Sequence, residues 1–300
     1  MDPKGEVGGS LEADAFRKLY PHQFYANFLA KHTRPDGRAL MQARPVSVTP
    51  NAVSSADSSA TAKLGDSAAI AGVKLEVAVP AEESPDEGHL AVAVEMAPMS
   101  SPDVRPGRPG EAAQCLAEQV SSILASSDVI PRQQLCIEQG RACWVVYLDI
   151  IVLNADGSLL DACLLAAWAA LRSLRLPSVI LTADGNVEPC DDLPQTSSAA
   201  APEGVWAGRM LQLESQPVAQ SCAMMGGKLI SDCTAEEERL ADTIIIIIVD
   251  GRGNLLGLIK AGGTAEAGDM IMQQCIEAAK LRQQDLCRLL EDQLSAATLS

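Results

Sequence analysis

The sequence predicts a protein of mixed helices and strands in two halves, each of which runs from strands to a closing helix. Three observations predict it. Short turn signals at 65–66 and 250–253 separate pairs of strand-like segments. Apolar or amphipathic helical patterns follow those pairs at 158–175 and 265–294. The chain has 300 residues, 47% of them hydrophobic, which is enough to bury a large core.

An N-terminal extension, residues 1–31, is expected to precede the main domain at 32–294. Residues 1–11 suit a flexible tail, whereas 12–32 carry apolar residues at helical spacing, with a break or restart at Pro21. All three Phe and two of the three Tyr fall in this helical segment. Aromatic residues at this spacing are typical of packing more than of a ligand site. We therefore expect the extension to dock on another element.

The first half, 32–177, begins with a predicted hairpin of strands at 58–64 and 67–79. A strand at 89–96 places alternate apolar residues on one face. A helix is predicted over 111–127, since its apolar residues recur on one side.

The centre of this half is one strand, one turn and one helix between Cys143 and Pro177. The strand is apolar on both faces apart from Asp149, so it should lie in the middle of a sheet that is covered on both sides. Ser158 and Asp161 form a candidate capping box at the start of the helix. The helix is apolar nearly all round, which predicts complete burial.

The second half, 202–294, follows a loop at 190–204 whose composition suits solvent exposure. Residues 234–237 form a second candidate capping box. The five successive isoleucines at 244–248 start a predicted hairpin and should be covered on both faces, because an exposed run of this kind would aggregate. A long helix at 265–294 closes the chain.

Composition narrows the possible functions. A net charge of −16 opposes general binding to a nucleic-acid backbone, which requires clustered Lys and Arg. The sequence predicts no transmembrane span and no targeting segment, so an intracellular protein is expected. The nine cysteines include no C-x-x-C pair, which argues against a zinc site and a disulfide framework.

Five motifs, in order, resemble those of the RNase PH-like family, and within it the ring subunits of the eukaryotic RNA exosome. They are RPDGR at 34–38, ATAKLGDSAAIAGVK at 60–74, RPGRPGEAAQ at 105–114, WVVYLDIIVLNADGSLLDACLLAA at 144–167 and LISDCTAEEERLADT at 229–243. The resemblance covers nearly the whole chain. It implies an α+β fold, an RNase PH-like domain with two similar strand-strand-helix halves behind the N-terminal helical extension.

Active members of the family are phosphorolytic 3′ exoribonucleases. Holding phosphate beside an RNA phosphodiester requires guanidinium groups and backbone or hydroxyl donors. Active relatives carry an Arg-Arg-Ser stretch where this chain has Pro109, Gly110 and Glu111, and a Gly-Ser/Thr-Arg cluster where it has Ser158, Leu159 and Leu160. The resemblance therefore implies an RNase PH-like protein that is not an enzyme.

The candidate site residues are few. Asp232 matches an aspartate of the active pattern and is a relict catalytic candidate, although initiation of the helix capped by Thr234 explains it equally well. Arg105 and Arg108, on a Pro/Gly loop, are candidates for contact with RNA, although exposed loop arginines are usually only solvated. No metal and no cofactor are expected.

The resemblance favours a noncatalytic ring subunit that supports 3′-to-5′ RNA processing and degradation, in rRNA maturation and mRNA turnover, by threading RNA to a catalytic partner. The implied partners are other RNase PH-like ring subunits, RNA-binding cap subunits and RNA in the assembled pore, and no membrane. The implied compartments are nucleus, nucleolus and cytoplasm. The alternatives are a phosphate-dependent 3′-to-5′ exoribonuclease active in its own right and an interaction module unrelated to RNA, which the acidity favours.

Overall fold

The computed structural model describes residues 14–107, 110–182, 187–189, 205–260, 262–263 and 268–298. A helical stretch at 14–19 leads into the named helices α1 (Pro21–Ala30), α2 (Glu111–Ser126), α3 (Leu159–Arg172), α4 (Ala235–Leu240) and α5 (Asp269–Thr298). The predicted tail at 1–11, the predicted loop at 190–204 and Arg108 lie outside the described residues.

The first half forms a six-stranded sheet. Its strands are β1 (Val46–Pro50), β2 (Ser58–Leu64), β3 (Ser67–Ala78), β4 (His89–Met96), β5 (Cys136–Glu138) and β6 (Ala142–Asn154). The order is β1-β2-β3-β6-β4, and β5 pairs with β6. All pairs are antiparallel except β4 with β6. The predicted hairpin and the strand at 89–96 are therefore confirmed.

Short strands connect the two halves, and a second sheet follows. The short strands are β7 (Arg175–Leu176), β8 (Val179–Leu181), β9 (Val187–Pro189), β10 (Val205–Trp206) and β11 (Arg209–Met210). The second sheet contains β12 (Val218–Met225), β13 (Lys228–Ser231), β14 (Thr243–Val249) and β15 (Leu255–Lys260), in the order β13-β12-β14-β15. Its strands pair antiparallel throughout.

Helix α3 lies between the two sheets and joins them into one core. It contacts β2 and β3 on one side and β12 on the other. Eleven of its residues, from Leu160 to Leu171, are buried, which confirms the prediction from its all-round apolarity. Helix α5 covers the opposite face of the second sheet, where Ile245 and Ile247 pack with Cys275 and Ala279. Ile248 faces the main core instead, so the isoleucine run is covered from both sides.

The N-terminal extension docks on the second half. Proline at the start of α1 interrupts the helical stretch at Tyr20, as predicted, because its ring cannot continue a helix but fits the first turn. Tyr25 and Leu29 are buried against Ala223, Met225 and Ile230. The other aromatic rings contact one another along the exposed side of the helix.

The prediction that β6 lies in the middle of a sheet covered on both faces is correct for its position and wrong for one of the two faces. The strand lies between β3 and β4, in the middle of its sheet, and Val146, Leu148 and Ile150 are buried in the core shared with α2 and α3. The other face is buried at Cys143 and Val145 but open from Tyr147 to Ile151, because α2 and α3 both pack on the core side of the sheet. Tyr147 is 38% exposed and Ile151 41% exposed, with Asp149 between them.

The structure also shows the state of the cysteines and the character of the helices in the described ranges. Seven of the eight cysteines in the described ranges, at 115, 136, 143, 163, 222, 233 and 275, are free thiols, and Cys287 forms hydrogen bonds with Gln216 and Gln283. No helix in those ranges is both long and apolar enough to cross a lipid bilayer.

Candidate functional site

A cleft of about 760 Å³ lies where the starts of α2 and α3 approach α4. Its walls come from the end of β4 with its following loop, the first turn of α2, the β6–α3 turn and α4. Three of the five sequence motifs, at 105–114, 144–167 and 229–243, thus meet at one place. The residues that line it include Glu95, Asp103, Arg105, Glu111, Gly157, Leu159, Glu238 and Arg239.

The described wall of the cleft is acidic. Four carboxylates and two guanidinium groups line it, and one of the guanidiniums, Arg239, lies 3.0 Å from the Asp103 carboxylate. An arginine that is paired with a carboxylate contributes little net field toward a second anion. The charge distribution therefore disfavours a phosphate in the cleft.

The start of α2 carries its own anion. Gly110 precedes the helix, and Glu111 is its first residue and lines the cleft. The free N–H groups at a helix N-terminus bind anions because they lie at the positive end of the helix dipole. The Glu111 carboxylate in the first turn provides such an anion from within the chain.

The start of α3 is built differently from the predicted capping box. Ser158 has a left-handed backbone (φ 49°), and within the described chain its hydroxyl caps no N–H of the first turn. The hydroxyl donates instead to the carbonyl of Cys233, at 3.3 Å. The Ser158 backbone N–H donates to Glu238 Oε1, at 2.6 Å. The predicted Ser158/Asp161 box is therefore wrong, because partners from the second half take both residues.

Asp161 reaches across to the second sheet. Its carboxylate accepts hydrogen bonds from the backbone N–H of Ser221, at 2.8 Å, and from the Ser221 hydroxyl, at 2.9 Å. Burial, opposed by these bonds, raises the pKa of Asp161 to about 7. Asp161 thus acts as a polar link between α3 and β12.

The turn before α3 is pressed against the second half. Gly157 has φ 78°, and a Cβ placed there would lie 2.3 Å from the Cys233 carbonyl oxygen. This close approach requires glycine. Leu159 lines the cleft as the sequence comparison implied, but Leu160 does not, because it is buried in the main core.

Asp232, the relict catalytic candidate, is 1% exposed and is held by Arg44. The Arg44 backbone N–H donates to Oδ2 at 2.6 Å, and Nη2 donates to Oδ1 at 2.7 Å. Burial would raise the pKa of Asp232, but the hydrogen bonds and the charge of Arg44 lower it below its usual value. The carboxylate is ionised and fully engaged, so it is a structural ion-pair partner in this chain.

The RPDGR turn supplies a second buried ion pair. The Arg34 Nε donates to Glu237 Oε1 at 2.9 Å, and its other nitrogens donate to the carbonyls of Ser231 and Asp232. Glu237 also completes the capping box with Thr234, which confirms that prediction. The sequence showed the turn but not the role of Arg34, because its partners lie about 200 residues away along the chain.

Arg105 lines the cleft, on the loop that follows β4. Arg108 lies outside the described residues. No group of three or more His, Cys, Asp or Glu side chains within the described ranges is arranged to hold a metal ion.

The chemistry that this site permits is limited by its charges. The two guanidiniums that are most deeply buried, Arg34 and Arg44, pair with carboxylates inside the fold. The cleft retains carboxylates, and an apolar Leu159 lies beside the turn. The described residues thus join the two halves firmly but provide no cluster of free cationic donors for two phosphate groups.

Comparisons with known proteins support the resemblance. Residues 42–177 match the 3′ exoribonuclease family, domain 1, and residues 215–282 match domain 2 of that family. The chain is 32% identical to the exosome complex component rrp43 of Schizosaccharomyces pombe, covering 90% of this chain and 95% of that protein. It is 30% identical to the exosome complex component Rrp42 of Methanopyrus kandleri, covering 95% of this chain and all of that protein.

A solved structure is also similar. It is described as the Archaeoglobus fulgidus exosome with RNA bound to the active site. The match has a TM-score of 0.76 and 28% sequence identity, and it covers 93% of this chain and 98% of that one. The likeness extends over both sheets, which is consistent with the matches to both domains.

Proposed function

Because this chain belongs to the 3′ exoribonuclease family, we propose that it is a noncatalytic structural subunit of an RNA exosome core ring, of the type that S. pombe rrp43 represents. In this role it supports 3′-to-5′ RNA processing and degradation, including rRNA maturation and mRNA turnover, by guiding RNA to a catalytic partner. Its partners are other RNase PH-like ring subunits and RNA-binding caps, in the nucleus, nucleolus and cytoplasm.

One observation carries the noncatalytic part of the proposal. Glu111 lies in the first turn of α2, and the Glu238 carboxylate accepts the backbone N–H of Ser158 at the start of α3, so each helix start at the cleft has a carboxylate beside it. Phosphorolysis needs two phosphate groups held side by side, which carboxylates repel. The aspartate that matches the active pattern, Asp232, is already paired with Arg44.

The open face of the first sheet supports the ring part of the proposal. Tyr147 and Ile151 project from its central strand and are partly exposed, beside Ile70 on β3. A sheet face with exposed large apolar side chains on a central strand is typical of a protein–protein interface. We assign this face to a neighbouring RNase PH-like subunit.

Arg105 is the described candidate for contact with RNA. It lies on the loop at the mouth of the cleft, and the acidic wall around it makes a weak, local contact more plausible than tight binding. Its test is a crosslink between Arg105 and RNA in the assembled ring.

We also propose that residues 1–31 form a separate extension and that 32–177 and 202–294 are the two halves of the domain. Two buried ion pairs connect these halves. Arg34 and Arg44 of the first half bind Glu237 and Asp232 of the second half, respectively. Neither half is expected to fold without the other.

The decisive experiment compares the purified chain with its complexes. Incubation of the chain with RNA and inorganic phosphate should release no nucleoside diphosphates, whereas phosphate-dependent shortening would support the alternative, an exoribonuclease in its own right. Native mass spectrometry of a complex purified through this chain should show other RNase PH-like subunits at equal stoichiometry. A stable monomer that associates with none of them would contradict the ring proposal.

A further inference from the structure

We propose that Cys136 and Cys143 form a modification site, where a peroxide oxidises the two thiols to a disulfide between β5 and β6. The site lies near the start of β6, whereas the cleft lies at the opposite end of the strand, beyond which Ala155 lines its wall. The inference is independent of the proposed ring function, because it rests only on the geometry and reactivity of these two thiols.

The two cysteines lie directly opposite each other in an antiparallel pair of strands. Directly opposed residues of such a pair have Cα atoms about 4.5–5.5 Å apart and side chains on the same face of the sheet. A disulfide requires Cα atoms about 4.4–6.8 Å apart. The backbone therefore already provides the separation that the bond requires, without a shift of either strand.

The neighbouring structure holds the hairpin of β5 and β6 in this register. Gly140, in the turn, has φ 74° and donates its N–H to the Pro85 carbonyl at 2.9 Å. On the other side of β6, Ala78 of β3 pairs with Cys143. Because β6 is fixed between two strands and the turn is hydrogen-bonded to an adjacent loop, Cys136 stays opposite Cys143.

The two thiols differ in their access to solvent. Cys136 is partly exposed, whereas Cys143 is 3% exposed. A dissolved oxidant can therefore reach the first thiol, and the second is placed to complete the disulfide. Burial and the charge of Asp86 raise the pKa of Cys136, and burial raises the pKa of Cys143. Because the thiolate is the reactive form, the pair should stay reduced until peroxide is abundant.

The oxidation takes place in two balanced steps. The Cys136 sulfur attacks one oxygen of hydrogen peroxide, the O–O bond breaks, and a sulfenic acid and one water form. The Cys143 sulfur then attacks the sulfenic sulfur, the S–O bond breaks, and the hydroxyl leaves as a second water with the thiol proton. Two thiols are oxidised to one disulfide, and one peroxide is reduced to two waters.

A second pair of cysteines provides an internal comparison. Cys222 of β12 and Cys275 of α5 belong to one buried cluster of the second half, and both are 0% exposed. Peroxide cannot reach either thiol in the folded chain, so proximity alone should produce no disulfide there. The proposed site differs from this pair in the exposure of Cys136.

The first experiment treats the folded full chain with hydrogen peroxide, blocks the remaining thiols with iodoacetamide in denaturant, and maps tryptic peptides without reduction. Trypsin cleaves on both sides of 133–141, so the disulfide would join this peptide to 142–172, which also contains Cys163. We expect joined peptides in the wild-type chain and in the control Cys163→Ala, and separate peptides in Cys143→Ala. Separate peptides in the wild-type chain, or joined peptides in Cys143→Ala, would overturn the inference.

The second experiment needs no variant, so it holds even if Cys143→Ala does not fold. Trp144 follows Cys143 directly, and the Trp206 indole N–H donates to the Cys136 carbonyl at 3.1 Å. Since a disulfide quenches a nearby indole, peroxide should lower the tryptophan emission and dithiothreitol should restore it.

Thermal unfolding of the same samples measures the effect of the crosslink. The disulfide closes a short loop and restricts the unfolded chain, so the oxidised protein should unfold about 4 °C higher than the reduced protein. An emission and an unfolding midpoint that both stay unchanged by peroxide would contradict the inference.

Discussion

The junction between the halves and the cleft beside it use charge in opposite ways. At the junction, two buried carboxylates are neutralised by buried guanidinium groups: Asp232 pairs with Arg44, and Glu237 pairs with Arg34. In the cleft, whose wall includes Glu238, the residue that follows Glu237 on α4, carboxylates outnumber guanidiniums. The two buried arginines, Arg34 and Arg44, thus stabilise the junction between the halves. The described wall of the cleft has only Arg105 and Arg239 against four carboxylates.

The same comparison gives a physical account of the proposed noncatalytic function. The junction needs complementary charges because an unpaired buried carboxylate is costly. The cleft has no such requirement, since its groups are partly solvated and can repel a ligand without unfolding the protein. The proposed loss of activity therefore leaves the assembly surfaces intact.

Replacement of Arg44 by methionine should be the most damaging change. It keeps the apolar stem of the side chain but removes the guanidinium 2.7 Å from Asp232, which leaves that buried carboxylate with Arg38, 3.6 Å away, and costs up to about 3–5 kcal/mol of unfolding free energy. Urea denaturation measures the loss. The control is Arg141→Met, which breaks an exposed pair with Glu138 and should cost less than about 1 kcal/mol. Similar losses in both variants would show that the junction does not depend on this pair.

Ile151→Lys tests the open face of the first sheet. The new charge lies opposite Glu95 on β4, so the isolated chain should fold normally. A charge buried in an interface should weaken binding to the neighbouring ring subunit by about a hundredfold. Pull-down titration with that subunit measures it. Met270→Glu, at a residue that is 74% exposed on α5, is the control. Unchanged binding of Ile151→Lys would place the interface elsewhere.

Asp161 should make stability depend on pH. Its pKa rises from 3.8 to about 7 on folding, so the folded state favours the protonated form. This contribution is complete below about pH 4 and is lost as the pH rises to about 7. The charged groups around Asp161 are Asp232 and Arg282.

Asp161→Asn should remove that dependence. The amide can still accept from the Ser221 N–H and donate to its hydroxyl, so above pH 7 we expect the variant to be about 2 kcal/mol more stable than wild type. Thermal unfolding between pH 4 and pH 8 measures it. Asp149→Asn, on the open face, removes the same charge as a control. Parallel pH profiles of wild type and Asp161→Asn would contradict the assignment.

Thr234→Ala should have the smallest effect. It removes the hydroxyl that accepts from the Glu237 N–H at the start of α4, which costs about 1 kcal/mol. Chemical denaturation measures the change, with Thr49→Ala, at an exposed position of β1, as the control. A loss as small as that of the control would mean that Arg34 alone positions Glu237.

Much of the fold could be predicted from local patterns. The β2–β3 hairpin, the buried α3, the isoleucine hairpin and the capping box at Thr234 all follow from interactions between residues a few positions apart. The prediction failed for β6 because apolarity in one strand cannot reveal how many faces the rest of the chain covers. It failed for Ser158 because a sequence that suits a cap also suits longer-range bonds.

The site was predicted less completely than the fold. The motifs around Glu111, Ser158 and Asp232 indicated its location, and residues of all three motifs line the cleft, although Asp232 itself is buried beside it. Nothing local to Asp232 indicated Arg44, which is 188 residues away, and nothing local to Ser158 indicated Glu238. A weak signal existed, since arginines at 34, 38 and 44 precede the first strand of an otherwise acidic chain.

Local sequence patterns predicted the kinds and order of the elements, the burial of α3 and the replacement of Arg-Arg-Ser by Pro109, Gly110 and Glu111 at the start of α2. Tertiary packing sets which carboxylates are neutralised by arginines, as Asp232 and Glu237 are, and which line the cleft and repel anions there. The physical reason is range: backbone propensity and apolar periodicity act within a few residues, whereas ion pairs form wherever packing brings distant side chains within about 3–4 Å.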